Sequence, residues 1–311
     1  MNVIVVTLAN HTAPPDREPF GVMPSLSTAM RIVLLTSALL IAGFSQGPGA
    51  ATARVAITHP TAPGKVVLRV SSGGGFVALQ TNLRALPSFT LYGDGTVIVP
   101  GAVQQIFPGP AIDPLVRSRL SERQVQALLT RARQSGLLAP GAIDYGDMGS
   151  VGVSDGPTTT LIVNAGGRRV NRQAYALGIG AGGHLSARQV SARQALARFI
   201  AALPSKLSGA RYTPHAIAVY VAQPAAPAPA GAGRVVWPLR SDLATAGKPA
   251  ANGLAYRCIT VGGRDVKTLL ARLRTANEQS RWAVRGRANR TYQLVVRPLL
   301  PDEPGCPVAT P

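Results

Sequence analysis

A chain of 311 residues that is 46% hydrophobic and carries 32 Lys and Arg against 13 Asp and Glu has a formal charge of +19, a positive field that favours polyanions such as acidic wall polymer, anionic lipid headgroups or nucleic acid. Nucleic acid is the weakest of these: aromatic residues make up only 5% of the chain, and a single-strand binder needs stacking platforms along its groove. Arg outnumbers Lys 28 to 4 amid abundant Ala and Gly, a bias that a GC-rich genome writes without selection for binding.

The first landmark is a largely apolar run of 13 residues, 32–44, preceded by Met30-Arg31 and followed by Ala51-Thr52-Ala53. This pattern reads as a secretory signal with a small-residue cleavage site near Ala53. As a helix the run spans roughly 20 Å at ~1.5 Å per residue, short of the ~30 Å hydrocarbon layer, so cleavage is expected rather than anchoring. The stretch Pro14-Pro15-Asp16-Arg17-Glu18-Pro19 would break a helix and puts acid where a basic n-region belongs, which points to Met23 or Met30 as the start. Residues 1–53 are therefore read as upstream sequence and signal. Losing them removes two basic and two acidic residues and leaves the balance at +19. The expected location is extracellular or at the cell envelope, and no Cys follows the apolar run to carry a lipid.

Residues 54–222 read as an α+β domain. Phe89-Thr90-Leu91-Tyr92 and Thr96-Val97-Ile98-Val99 flank Gly93-Asp94-Gly95, a turn whose glycines permit positive φ, so a β-hairpin is expected. Ser121-Glu122-Arg123-Gln124 has capping-box spacing, and Val125, Leu128, Leu129 and Ala132 follow at helical period before Gly136. Segments 158–164 and 168–173 repeat the hairpin pattern around Ala165-Gly166-Gly167, and Leu196, Phe199, Ile200 and Leu203 mark a second helix ending at Pro204. The tetrapeptide Ser-Ala-Arg-Gln occurs at 186–189 and again at 191–194. A five-residue offset turns a helix by about 140°, so the copies share no face and read as coincidence. Residues 215–221 form a further strand. The expected architecture is an antiparallel sheet with helices on one face.

Residues 223–233, rich in Pro, Ala and Gly, read as a linker. A smaller α+β domain at 234–311 follows. It has a strand at 256–261, a helix through Val266, Leu269, Leu270 and Leu273, and a hairpin from 282–284 and 292–297 turning at 286–289.

Cys258 and Cys306 fall in that second domain, and two cysteines in one domain of an exported protein pair. They lack the Cys-x-x-Cys spacing of a redox pair. Asp144, Asp147 and Asp155 lie in a Gly-rich loop; they are weak candidates for calcium, since the spacing does not match an EF-hand, and turn chemistry explains the same letters. Neither a metal nor any other cofactor is expected. His59, His184 and His215 accompany no Gly-x-Ser-x-Gly elbow, Ser-x-x-Lys pair or His-Glu-x-x-His helix, so no catalytic residue is assigned. Arg281, Arg285, Arg287 and Arg290 surround Trp282. If they project from one hairpin tip, the guanidinium groups can fork to phosphate or carboxylate while Trp282 packs on the ligand; a solvated hairpin with Trp282 in the core is the other reading.

The segments 89–95, Asp155-Gly156-Pro157-Thr158-Thr159 and Pro298-Leu299-Leu300-Pro301-Asp302-Glu303-Pro304-Gly305-Cys306 resemble a group of exported actinobacterial proteins of no assigned activity. The likeness runs over most of residues 86–306. It implies an envelope or extracellular setting; some members look like lipoproteins, with a Cys after the apolar run that is absent here. The resulting expectation is a basic exported protein, more readily a non-catalytic binder of an anionic envelope polymer or lipid headgroups than an enzyme. The alternatives are a wall-polymer hydrolase using the loop carboxylates, or an inhibitor or partner of another protein.

Overall fold

The computed structural model describes residues 55–306 apart from 151, 181–183, 206, 223–231 and 251–254, with backbone alone at 287–289. The apolar run at 32–44 lies outside the described residues. Both expected hairpins of the first half form. β2 (Phe89–Tyr92) pairs with β3 (Thr96–Pro100) through Thr90 with Ile98 and Leu91 with Val97. In their turn Gly95 has φ +81°, whereas Gly93 is required for space: a Cβ there would lie 2.6 Å from the Pro60 carbonyl oxygen. β5 (Thr158–Ala165) and β6 (Arg168–Tyr175) turn through Gly166 and Gly167, both at positive φ, the primed geometry that matches strand twist. The pattern of the chain does not announce β1 (Val66–Gly73), which pairs with β2 on one side and β5 on the other and so fuses the hairpins. With β4 (Leu115–Arg119) and β7 (Ala210–Arg211) they make an antiparallel sheet of order β6-β5-β1-β2-β3-β4-β7.

One face of that sheet carries two helices. α2 (Glu122–Gln134) opens with the expected capping box: the Gln124 N–H donates to the Ser121 hydroxyl at 3.4 Å, and the Ser121 N–H donates to Gln124 Oε1 at 2.8 Å. α3 (Ala187–Ala201) opens with a second one, from Ser186 and Gln189. Val125, Leu128 and Leu129 of α2 and Leu196 and Phe199 of α3 join Leu68, Val70, Leu91, Val97, Leu161 and Val163 in one cluster, each such side chain contributing about 2 kcal/mol by leaving water. The chain is thus an α+β protein, with helices on one face of an antiparallel sheet.

The second sheet corrects the expected domain boundary. Its order is β10-β11-β8-β13-β12-β9, from β8 (Ala216–Ala222), β9 (Arg234–Val236), β10 (Lys248–Pro249), β11 (Tyr256–Gly262), β12 (Arg281–Val284) and β13 (Arg287–Pro298). All described pairings are antiparallel except β9 with β12. β8, expected to close the first domain at 222, is instead an inner strand of this sheet, flanked by β11 and β13. The transition between sheets therefore comes after β7, and residues 54–311 form one compact unit. The reason is burial: all seven residues of β8 are covered, which requires a neighbour on each edge and a layer on each face. α4 (Arg264–Leu273) packs Val266, Leu269 and Leu273 with Ile217, Val219 and Val221. On the opposite face, Leu83 of α1 (Leu79–Arg84) meets Ala216, Ala218 and Tyr220.

The tail motif ties the two sheets together. The Leu299 N–H donates to Ala216 O, and the Tyr212 hydroxyl donates to Leu299 O, each at 3.0 Å. Leu300 packs with Tyr92, Ile98 and Leu115 of the first sheet. Arg69 and the Tyr92 hydroxyl, also of the first sheet, donate to Asp302 Oδ1 at 2.7 and 2.8 Å. Arg297 of β13 grips Glu303 with both terminal nitrogens at 2.8 Å. Cys306 then closes the expected disulfide with Cys258 of β11.

Candidate functional site

The five residues expected to form an anion-binding tip do not gather at one surface. β12 lies between β13 and β9, so both its edges are paired, and its two faces are covered as well: the successive residues Arg281 and Trp282, which point to opposite faces, are 5% and 1% exposed. Trp282 stands edge-on to Trp237 with ring centroids 6.0 Å apart, inside the apolar cluster of the second sheet. Of the other arginines, Arg285 and Arg290 are exposed, while the side chain of Arg287 is outside the described ones. The turn itself is tighter than expected: Val284 pairs with Arg287 across Arg285-Gly286, with Gly286 at φ +74°. Ala283 pairs with Thr291, so residues 288–290 bulge out of the ladder.

The loop aspartates are occupied by local geometry. Asp144 accepts the Gly146 N–H on Oδ1 and the Gln189 side chain on Oδ2, both at 2.8 Å, and these bonds hold its carboxyl below the usual carboxylate range. Asp147 Oδ1 accepts the Gly149 N–H at 2.9 Å, the same Asx-turn chemistry. Asp155 has φ +62°, and its carbonyl lies so near Gly75 that a Cβ there would approach it to 2.7 Å. Gly75 thus packs against the Asp155 turn, while Gly73 and Gly74 face open space. Among the described residues no group of three or more His, Cys, Asp or Glu is arranged to hold a metal ion.

Sequence reasoning missed a basic groove along one edge of the first sheet. The segment before β1 is pinned across the helical face. Ile57 exchanges two hydrogen bonds with the Gln126 side chain, at 2.8 and 2.9 Å, and Thr58 O accepts the Gly166 N–H at 2.7 Å. The His59 ring sits between Pro60 O and Glu122 Oε1, at 2.7 and 3.0 Å, and the contact with His59 is the main cause that lowers the pKa of Glu122. This path brings Lys65 beside the β5–β6 turn, where Arg168 and Arg169 follow the two glycines. The three cations line a groove of about 880 Å3. All three are exposed, and none forms an ion pair among the described residues. Asp302 also lines the groove, but its carboxylate is held by Arg69 and Tyr92. Burial opposes the ionised form there, yet the Arg69 hydrogen bond and charge prevail and lower its pKa.

Two arginines and a lysine on converging segments can take a phosphate or carboxylate row, with Arg forking to paired oxygens. β6 is an edge strand, and exposed arginines there also discourage unwanted strand pairing. That role does not account for Lys65, which lies on a different segment. The signal was present as Gly-Gly-Arg-Arg at 166–169, but its partner, Lys65, comes from a segment far earlier in the chain whose path only the fold reveals. No family model, curated protein or solved structure matches this chain.

Proposed function

We propose that this chain is an exported, non-catalytic binding module that holds an anionic polymer of the cell envelope in the groove lined by Lys65, Arg168 and Arg169. The observation that carries the reading is the convergence of three exposed cations that have no carboxylate partner among the described residues, in a chain of net charge +19. The Cys258–Cys306 disulfide fits an oxidising compartment, and among the described residues no helix is long and apolar enough to cross a membrane. The likeness of the tail motif to exported actinobacterial proteins supports the same setting.

The test is co-sedimentation of the purified protein with cell-wall polysaccharide. The expected result is saturable binding that falls steeply with added salt, because exposed charge pairs are screened beyond about 8 Å at physiological ionic strength. Lys65→Ala combined with Arg168→Ala and Arg169→Ala weakens it by about tenfold or more. Release of soluble fragments identifies a hydrolase. Binding to anionic vesicles but not to polysaccharide assigns the groove to lipid headgroups, and salt-insensitive binding to another protein assigns the chain an inhibitor or partner role.

A further inference from the structure

Between the loop at 101–114 and the C-terminal end of α4 lies a cavity of about 500 Å3, within the ~300–1,000 Å3 range of small-molecule sites. Ile106 and Ile112 of the loop, Leu115 of β4, and Leu270 and Leu273 of α4 line it. Arg211 at the end of β7 and Arg274 at the C-cap of α4 line it too. Both are exposed and unpaired with any carboxylate among the described residues. Asp113, also on the lining, is neutralised by Arg84 at 2.7 Å.

The loop wall is held at both ends. The Gly101 N–H donates to Pro114 O at 2.8 Å, Ala111 bonds Ala276, and Gly109 and Glu278 exchange two bonds at 2.9 Å. Arg84 bridges Asp113, Glu278 and the Pro110 carbonyl. Yet between these anchors Val103, Ile106 and Phe107 are 42%, 63% and 81% exposed. A fastened loop thus keeps apolar side chains in water, at a cost that grows by about 25 cal/mol for each Å2 left uncovered. An aliphatic chain in the cavity would cover part of that surface, and its anionic end would meet two guanidinium groups.

We propose that this cavity binds a free amphiphilic anion, an unbranched aliphatic chain ending in a carboxylate or sulfate. The chain lies against Ile106, Ile112, Leu270 and Leu273, and the head group is taken by Arg211 and Arg274. The cavity shares no lining residue with the basic groove, so the two readings stand or fall separately.

The experiment is isothermal titration of the disulfide-intact protein with dodecanoate and, in parallel, with dodecyltrimethylammonium, which has the same chain and the opposite head. The expected result is one saturable dodecanoate site and no matching site for the cation. Arg211→Ala with Arg274→Ala weakens dodecanoate by about tenfold or more, while Ile106→Asp, at a solvent-exposed position, abolishes binding. Alanine at Lys65, Arg168 and Arg169 leaves it unchanged. Equal affinity for both amphiphiles, binding indifferent to the Arg and Ile106 variants, or attachment to phosphatidylglycerol vesicles without any dodecanoate binding would each overturn the proposal.

Discussion

Asp302 concentrates in one carboxylate the side-chain hydrogen bonds that join the tail to β1 and β2, beside the apolar contact of Leu300. Its acceptor oxygen takes both the Arg69 guanidinium and the Tyr92 hydroxyl, and the pKa of Arg69 rises for the reciprocal reason, Asp302 overcoming the opposing effect of burial. Because the folded carboxyl ionises below its ordinary value, the folded state binds fewer protons than the unfolded chain through that window. Its contribution is therefore complete above the unfolded pKa of about 4 and is lost as pH falls through the folded value. Asp302→Asn is expected to lower stability by about 2 kcal/mol at neutral pH and to flatten the acid limb of a urea-midpoint profile below the ordinary carboxylate pKa of about 4. An unchanged acid limb would remove Asp302 from this role. Burial also pushes Tyr212 up to about 12, helped by Glu303 and Asp302. At this scale the sequence was legible where one residue answers to its neighbours, as the turn aspartates do; the Cys pair, 48 residues apart, was legible because each cysteine had a single candidate partner. It was not legible where a residue answers to a remote segment. Gly93 looked like a flexible turn glycine and is in fact a contact glycine, because Pro60 passes over it.

Among the elements, the two copies of Ser-Ala-Arg-Gln illustrate how context divides identical letters. Ser186 caps α3 and bonds reciprocally with Gln189, while Ser191 lies exposed within the same helix. Arg188 is exposed, but Arg193, 140° further round by the sequence reasoning, is buried and donates to the carbonyls of Tyr145, Tyr175 and Ala176 at 3.1, 2.9 and 2.6 Å. The offset does separate the copies onto different faces, and each then has its own task. Ser186→Ala is expected to cost about 1 kcal/mol by orphaning first-turn N–H groups. Ser191→Ala costs nothing measurable, since Ala is the better helix former. Urea unfolding monitored by circular dichroism checks the contrast, and equal effects at the two serines would contradict it. The helices α2, α3 and α4 and the hairpins were readable because capping residues, glycine turns and apolar periods are local, whereas the short α1, with no side-chain cap, gave no such signal. β1 was not, since Val66-Val67-Leu68-Arg69-Val70-Ser71-Ser72-Gly73 earns its strand only from β2 and β5 on its flanks.

For the whole molecule, the decisive segment is β8. Its seven residues, Ala216-Ile217-Ala218-Val219-Tyr220-Val221-Ala222, are apolar throughout, so no polar alternation tells which sheet it enters, and the Pro-rich stretch that follows invited a boundary at 222. With β8 inside the second sheet, and the tail both bonded to Arg69 and Tyr92 of the first and tied by the disulfide to β11 of the second, the two sheets are joined within one unit. They should then unfold together. Both Trp237 and Trp282 lie in the cluster of the second sheet, so tryptophan fluorescence reports that half alone, whereas far-UV circular dichroism reports both. In urea the two signals are expected to coincide in a single transition. Closing 48 residues by the disulfide contributes roughly 4 kcal/mol in the chain-entropy model, and replacing both cysteines by Ser lowers the common midpoint accordingly. Coincidence should survive that change, because Asp302, Glu303 and Leu300 still hold the tail against both sheets. A fluorescence midpoint displaced from the dichroism midpoint in the disulfide-intact protein would mean that the sheets are separate folding units after all, and that the tail joins them without coupling their stability.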